Sequence, residues 1–183
     1  MARLPKIDPT TLTDEQKPVY DRIASGPRGV VRGPLAVWLR RPGLAARAED
    51  LGTYCRYDSS LNKQLSELAI LVTARAWGSE FEWFAHKKHA LDAGVSPDIV
   101  EAIRTTQMPP ITDPEQRVVY EVASAICHHR KLHKALYASA IEVLGEGRLI
   151  DLIGVLGYYS LVSMTINAFE VDVPEGNSPD LDR

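Results

Sequence analysis

The chain has 183 residues, a net charge of −3 and a composition in which 45% of residues are hydrophobic. This length and composition suit one compact globular domain, and the balanced charge argues against a nucleic-acid or membrane-surface partner. No apolar run reaches the roughly 18 residues of a membrane span, and the N-terminus lacks the apolar core of a signal sequence. We therefore expect a cytoplasmic protein, with no nucleic acid and no membrane as partner.

Helical spacing and helix-start signals dominate the sequence. Apolar residues do not alternate with a period of two over any useful length, so strands are not expected. Capping residues open predicted helices at Thr13, Ser96 and Asp113, and glycines end others at Gly78 and Gly145. The chain is therefore predicted to be all-α. The predicted helices are residues 13–24, 35–41, 43–57, 61–77, one that begins at 79, 97–105, 114–130, 132–144 and 148–169.

The stretch around Glu67 and His86 concentrates side chains that are capable of acid–base chemistry. Glu82 and His86 are four residues apart, which places them on one face of a helix. In one straight helix, Glu67 would lie roughly 28 Å from His86, at about 1.5 Å per residue. Gly78 and Ser79, however, are typical of a helix end followed by a helix start. If the chain folds back there, Glu67 faces His86 across two packed helices.

Two interpretations of these residues are open on spacing alone. In the first, Glu67, Glu82 and His86 meet in an apolar setting, where burial and neighbouring charges shift pKa values and permit acid–base catalysis. Trp83 would lie beside them. In the second, Ser79 and Glu82 form a capping box at the helix start, and His86 is an ordinary hydrogen-bonded core residue. The spacing itself favours the second interpretation.

The same residues carry a resemblance to a known family. The positions of Glu67, Glu82 and His86, followed by the segment ALDAGVS at 90–96, resemble the carboxymuconolactone decarboxylase family, which includes the alkylhydroperoxidase D-like proteins. In the peroxidase branch of this family, the positions of Ser79 and Glu82 are both cysteine. That redox pair is missing here. The decarboxylase branch has no such pair, so the resemblance favours the decarboxylases.

This resemblance extends over about residues 33–174 and implies an alkylhydroperoxidase D-like helical bundle. We expect residues 34–171 to form this single helical domain. An N-terminal arm with a short helix would precede it at 1–33, and a polar arm or loose tail would follow it at 172–183. The family further implies a homo-oligomer, with a trimer or a hexamer expected. The apolar helix predicted at 148–169 is consistent with burial between subunits, although it equally suits the core of a monomer.

The function implied by the resemblance is cofactor-independent decarboxylation of a carboxylated lactone or a related small organic acid. His86 is expected to deliver or shuttle the proton, while Glu82 or Glu67 sets its protonation state and orientation. No metal is expected, because the electrons released from this small-molecule substrate would delocalise into its conjugated carbonyl. No nucleotide or flavin cofactor is expected, because the sequence has no phosphate-binding glycine loop. His129 and His133 have a spacing that zinc sites use, but they lie in a basic cluster that is typical of a solvated surface.

A second group of residues is expected to bind the substrate. Arg56 offers a bidentate fork for a carboxylate. Tyr158, Tyr159 and Asn167 are polar residues on an apolar helix, so they either satisfy one another in the core or line a cavity with His86. The expected substrate-binding residues are Trp83, Ser79, Arg56, Tyr158, Tyr159 and Asn167.

Two other functions remain open from the sequence. One is an alkylhydroperoxidase D-like antioxidant protein with peroxidase activity. Because the chain has no Cys-x-x-Cys pair, this activity would need the fold to bring Cys55 and Cys127 together. Free buried thiols are the commoner outcome. The other function is non-catalytic: a helical oligomer that binds a small apolar ligand or only builds an assembly.

Overall fold

The computed structural model describes residues 2–174 and 176–181, and every regular element within them is a helix. The all-α prediction is confirmed. A 3-10 turn at Pro9–Thr11 and a π-helical turn at Tyr54–Asp58 accompany eight α-helices. The helices are α1 (Gln16–Ser25), α2 (Pro34–Trp38), α3 (Pro42–Thr53), α4 (Lys63–Trp77), α5 (Glu80–Asp92), α6 (Pro97–Arg104), α7 (Pro114–His129) and α8 (Lys134–Phe169). The division into segments 1–33, 34–171 and 172–183 stays a prediction.

Side-chain caps fix several helix starts at the predicted places. The hydroxyl of Thr13 accepts a hydrogen bond from the backbone N–H of Gln16, and the Gln16 side chain accepts one from the backbone N–H of Thr13. This is a capping box. Side chains of Asn62, Ser96 and Asp113 accept from backbone N–H groups at the starts of α4, α6 and α7. Each such cap stabilises its helix by about 1 kcal/mol.

Helix α4 lies at the centre of the molecule. Its residues 65–74 are all buried, so the helix is covered on every side. Helices α5, α7 and α8 pack directly against it. Complete burial of side chains such as Leu68 and Leu71 contributes about 1.5–3 kcal/mol each to stability. A polar residue on this helix is therefore held in an apolar setting.

Helix α8 contains one break in its backbone. At Gly145 the backbone has φ 77° and ψ 167°, a conformation that glycine adopts readily. The break separates the two helices predicted at 132–144 and 148–169. By length and composition alone, α8 is apolar enough to cross a membrane. Its buried residues pack against α4 and α7, as those of a core helix in a soluble domain do.

The C-terminal segment is anchored to α5. The Asp180 carboxylate accepts a hydrogen bond from the indole N–H of Trp83 at 2.9 Å. The backbone N–H groups of Asp180 and Leu181 donate to the Glu80 carboxylate, and Leu181 is buried. The expectation of a loose tail at 172–183 is therefore wrong for Asp180 and Leu181, because α5 supplies both a donor and an acceptor for them.

Candidate active site

His86 lies between two carboxylates. Its Nδ1 is 2.6 Å from Oε2 of Glu67 on α4, and its Nε2 is 2.9 Å from Oε1 of Glu82 on α5. Glu67 and His86 are each 2% exposed, and Glu82 is 4% exposed. The fold-back needed to bring Glu67 to His86 is thus present, and the three side chains form one continuous buried row.

Gly78 and Ser79 make this fold-back possible. Gly78 ends α4 in the left-handed conformation with φ 58°, where other residues pay a steric penalty of about 1–2 kcal/mol. Ser79 then occupies the N-cap of α5, but its side chain makes no capping hydrogen bond. The capping-box interpretation of Ser79 and Glu82 is therefore wrong, because the Glu82 carboxylate binds the imidazole of His86 instead.

The two carboxylates control the charge of His86. Burial opposes a charged imidazole, but the charge of Glu82 and the hydrogen bonds to both carboxylates outweigh it and raise the pKa of His86 to about 9. Burial also opposes a charged Glu67, but the hydrogen bond to His86 and the positive charges of His86, Arg56 and His89 together outweigh burial, and the pKa of Glu67 is lowered. At neutral pH the row therefore contains an imidazolium, and its proton is shared among coupled groups.

A cavity of about 300 Å³ lies beside the row. Glu82 and His86 form part of its wall, whereas Glu67 lines a different cavity. The Tyr159 ring meets the imidazole edge-on at 5.1 Å, and Tyr158 packs edge-on against Tyr159 at 5.3 Å. Burial raises the pKa of Tyr158 to about 12 and that of Tyr159 well above its ordinary value. Both phenols therefore stay neutral at physiological pH.

Three arginines also line the cavity. Arg28 and Arg32 belong to the loop between α1 and α2, and Arg56 belongs to the π-helical turn. Within residues 2–174 and 176–181, none of the three has a carboxylate at ion-pair distance, unlike Arg22 and Arg148, which are paired. The wall therefore presents three guanidinium groups against a single carboxylate. Such a cavity favours an anionic ligand. The rest of the wall is Pro27, Val30, Pro34, Leu35, Tyr57, Phe81, Ala85, His89 and Val162.

Half of the predicted substrate-binding residues do not line this cavity. Trp83 is fully buried, and its indole N–H donates to Asp180. The hydroxyl of Ser79 is buried without a hydrogen-bond partner. Asn167 is exposed and donates to a backbone carbonyl of α4. Their assignment to the wall is wrong, because Trp83 and Ser79 are enclosed in the core and Asn167 is held at the end of α4. The predicted residues that do line it are Arg56, Tyr158 and Tyr159.

Sequence analysis misses three polar residues of the wall. Arg28 and Arg32 lie in a loop rich in glycine and proline, where no periodicity indicates which side chains point inwards. His89 belongs to a His-Lys-Lys-His run that suggests a solvated face, yet its ring meets that of His86 edge-on at 5.8 Å. Its spacing of three residues from His86 on a helix was the available signal.

Of the two histidines considered as metal ligands, His133 has a structural role. The ring Nδ1 of His133 accepts a hydrogen bond from the backbone N–H of Leu136 and so caps α8. His129 lies at the last position of α7, where a cation suits the helix dipole. The described residues contain no group of three or more side chains that could hold a metal ion.

Comparison with known proteins identifies the central segment. Residues 42–125 match the model of the carboxymuconolactone decarboxylase family, and this segment contains Glu67, Glu82 and His86. Over these residues the chain is similar to the carboxymuconolactone decarboxylase family. None of the curated proteins matches the chain in sequence.

Solved structures share the alkylhydroperoxidase D-like fold of this chain. An uncharacterised peroxidase-related protein from Ralstonia eutropha JMP134, described as an alkylhydroperoxidase AhpD core, has a TM-score of 0.76 and 14% identity, covering 95% of this chain and 93% of its own. A peroxidase-related protein from Silicibacter sp. TM1040 has a TM-score of 0.76 and 15% identity, covering 95% and 92%. A cysteine-to-alanine variant of the debrominase Bmp8, in complex with 2,3,4-tribromopyrrole, has a TM-score of 0.76 and 13% identity, covering 96% and 95%. These likenesses establish the fold.

The two cysteines of this chain lie outside the cavity wall. Cys55 and Cys127 are both free thiols, and neither lines the cavity beside His86. Burial raises the pKa of Cys55 to about 11, and it also raises the pKa of Cys127. A thiol with a raised pKa stays protonated at neutral pH and is a poor nucleophile.

Proposed function

We propose that this protein is a cofactor-independent decarboxylase that acts on a carboxylated lactone or a related small unsaturated acid. The observation that carries the proposal is the buried row Glu67–His86–Glu82, which borders a cavity with three arginines in its wall. The row supplies an exchangeable proton, and the arginines supply attraction for an anion. The cavity volume suits a small ring compound.

The proposed reaction needs an electron sink in the substrate. When the bond between the carbon skeleton and its carboxylate breaks, carbon dioxide leaves and the electron pair moves into a conjugated carbonyl. The resulting enolate then accepts one proton at carbon, so the net change is one proton taken up for each carbon dioxide released. The guanidinium groups around the cavity stabilise the negative charge of the enolate as it forms.

The three members of the row have different roles in this proposal. Glu82 contacts the substrate, because its carboxylate lies in the cavity wall and uses one oxygen for His86. The Glu82–His86 pair holds the proton that passes to the substrate carbon. Glu67 does not line this cavity and acts as a positioning residue: it orients the imidazole and keeps it charged.

The apolar part of the wall supports the same reaction. Tyr159, Tyr158 and Val162 from α8 face Phe81 and Leu35 across the cavity. A carboxylate held against such a surface is poorly solvated, and its loss as neutral carbon dioxide relieves that penalty. The neutral phenols of the tyrosines leave the charge of the row unchanged.

The proposal is tested by incubating a panel of carboxylated unsaturated lactones with the protein and measuring the release of carbon dioxide. We expect release with the wild-type protein and a loss of about 100-fold or more in the His86→Gln variant, the usual range for a lost acid–base group. His129→Gln, which changes an exposed histidine of α7, is the matched control and should keep full activity. Equal release by His86→Gln and wild type would refute the proposed role of the row. If no lactone acid of the panel is decarboxylated, the non-catalytic binding function gains support.

We also propose that the protein is a homo-oligomer. The side of α8 that faces away from the core carries exposed Ile150, Ile153 and Met164. Exposed apolar side chains along one helix are typical of a surface that is covered by another subunit. Light scattering coupled to gel filtration would give the mass in solution, and a monomer at micromolar concentration would contradict this proposal.

A further inference from the structure

Part of the Arg28 guanidinium group has no hydrogen-bond partner among residues 2–174 and 176–181. Its Nε and Nη2 are buried and have no hydrogen-bond partner within the described residues, although the side chain lines the cavity. A buried donor without an acceptor is costly, and more so when it is charged. Such an arrangement persists where a ligand completes it.

The two unsatisfied atoms form one edge of the guanidinium plane. The Nε–H and Nη2–H bonds on this edge point the same way, and their spacing matches the two oxygens of a carboxylate. The hydroxyl of Tyr158 converges on the same place: a Cβ on Gly52 would lie 2.6 Å from Nη2 of Arg28 and would overlap the Tyr158 hydroxyl. The Arg28 guanidinium and the Tyr158 hydroxyl therefore converge beside Gly52, and the part of the chain that the structure describes places no acceptor on the two buried Arg28 nitrogens.

The other two arginines of the wall are less suited to this role. Arg56 stacks on the ring of Tyr57 at 5.6 Å, and its charge helps to stabilise the Glu67 carboxylate. Arg32 is exposed, so water solvates its charge. Only Arg28 combines a position in the wall with buried nitrogens that have no partner among the described residues.

We propose that Arg28, together with the Tyr158 hydroxyl, is the site that recognises the negative charge of the substrate. This inference rests on the proposed function, because it concerns the same cavity. It assigns substrate selection to the loop between α1 and α2, which lies outside the family segment at 42–125. Both nitrogens are closed off from water, so the loop shifts outwards as the anion enters, and Gly26 and Gly29 on either side of Arg28 give the backbone that freedom.

The test measures binding and needs no turnover. The probe is 2-furoate, a flat five-membered ring with one carboxylate, and its methyl ester is the neutral counterpart. Calorimetry should show that the wild-type protein binds 2-furoate at millimolar concentration and binds the ester at least about tenfold more weakly, as expected for the loss of a charged hydrogen-bond pair.

Variants then locate the anion. Arg28→Gln should weaken 2-furoate binding by about tenfold or more, and Arg28→Lys, which keeps the charge but loses the fork, should fall between it and wild type. Tyr158→Phe should weaken binding by a smaller factor. Arg41→Gln removes an equal charge from an exposed position outside the cavity, and it should bind as wild type does.

The inference is overturned if Arg28→Gln binds 2-furoate as wild type does, if the ester binds as well as the acid, or if wild type binds neither. These outcomes are separate from those of the decarboxylation test. If 2-furoate binding depends on Arg28 but no lactone acid is decarboxylated, the proposed function fails alone. If decarboxylation depends on His86 but binding is indifferent to Arg28, this inference fails alone.

Discussion

The Glu67 carboxylate lies 2.6 Å from Nδ1 of His86, although the two residues are 19 positions apart in the chain. Glu67 belongs to the most deeply buried helix, α4, and His86 belongs to α5, which folds back along it after Gly78. A carboxylate and an imidazole at this depth are stable only as partners, since neither could be charged there alone. The charge state of His86 is therefore set by its neighbours and not by solvent.

The first prediction concerns the proton affinity of His86. Replacing Glu67 with Gln removes a negative charge that favours the imidazolium, while Glu82 remains in place. The pKa of His86 should fall from about 9 toward its ordinary value of 6.5. An NMR titration of the imidazole nitrogens measures this directly. The control is Glu142→Gln, an exposed glutamate of α8, which should leave the titration unchanged. A pKa of His86 that is unaffected by Glu67→Gln would mean that the two groups do not interact in solution.

The second prediction concerns stability against pH. His86 binds its proton more tightly in the folded state, with a pKa of about 9, than in the unfolded state, with 6.5. Its contribution to stability is therefore complete below pH 6.5 and is lost as the pH rises through about 9. The pKa of Glu67 is lowered from 4.5 by folding, so its contribution is present above that value and is lost in acid.

Urea unfolding across this range measures the effect. The free energy of unfolding should fall between pH 6.5 and the alkaline side of pH 9 by an amount on the order of 3 kcal/mol. The His86→Gln variant has no such proton to lose, so its stability should change much less over the same interval. If both proteins lose stability equally, the alkaline change comes from other groups.

The third prediction separates acid–base chemistry from thiol chemistry. Cys55 and Cys127 have raised pKa values and do not line the cavity. The double variant Cys55→Ser, Cys127→Ser should therefore retain the decarboxylation rate of wild type to within about twofold, since neither thiol is expected to enter the reaction. Assays of carbon dioxide release and of peroxide reduction on the same preparations check this. Peroxide reduction by wild type that disappears in the double variant would instead favour the antioxidant function.

The fourth prediction uses two glycines of α3. A Cβ at Gly52 would meet the Tyr158 hydroxyl and Arg28, whereas a Cβ at Gly43 would meet its nearest neighbour at an ordinary 3.6 Å. Gly52→Ala should therefore displace wall residues and weaken the binding of small anions, while Gly43→Ala should leave binding intact. Because Gly43 is helical, Gly43→Ala should also raise stability by about 0.4–1 kcal/mol.

Calorimetric titration with 2-furoate measures the affinity of both variants for the anion. Urea unfolding measures their free energies of unfolding. If Gly52→Ala binds 2-furoate with the affinity of wild type, the prediction is contradicted, and Tyr158 and Arg28 can move aside without any effect on ligand binding.

Much of the fold is predictable from local signals in the sequence. The caps at Thr13, Ser96 and Asp113 and the stops at Gly78 and Gly145 act within one helical turn, so the residues themselves specify them. The family resemblance supplied the arrangement of the helices. The period and spacing of apolar residues could not predict this arrangement, because they do not determine how the helices pack against one another.

The residues of the site could be predicted from the sequence only where helix geometry fixes their relative positions. Glu82 and His86 share a helix face by spacing, and the Gly78–Ser79 signal made the approach of Glu67 reasonable. Trp83 was wrongly assigned to the wall, because its partner, Asp180, is 97 positions away in the chain. A contact of that kind depends on how the C-terminal segment docks on α5, which no local pattern encodes.

The arginines of the loop between α1 and α2 show the same limit. Arg28 and Arg32 lie in a segment without periodic spacing, so the direction of each side chain depends on the packing of the loop. Their position in the wall became evident only from the three-dimensional structure.

The most direct test of the proposed chemistry is hydrogen exchange at carbon. A protein that protonates an enolate in this cavity also removes that proton in reverse, so the decarboxylated lactone products incubated in heavy water should incorporate deuterium at the carbon that had carried the carboxylate. Proton NMR follows this loss of signal. We expect rapid exchange with wild type and with Glu142→Gln, and exchange reduced to the uncatalysed rate with Glu82→Gln and with His86→Gln. Exchange by Glu82→Gln at the wild-type rate, or none by wild type on any decarboxylated lactone, would contradict the central claim that Glu82 and His86 transfer a proton to the substrate carbon.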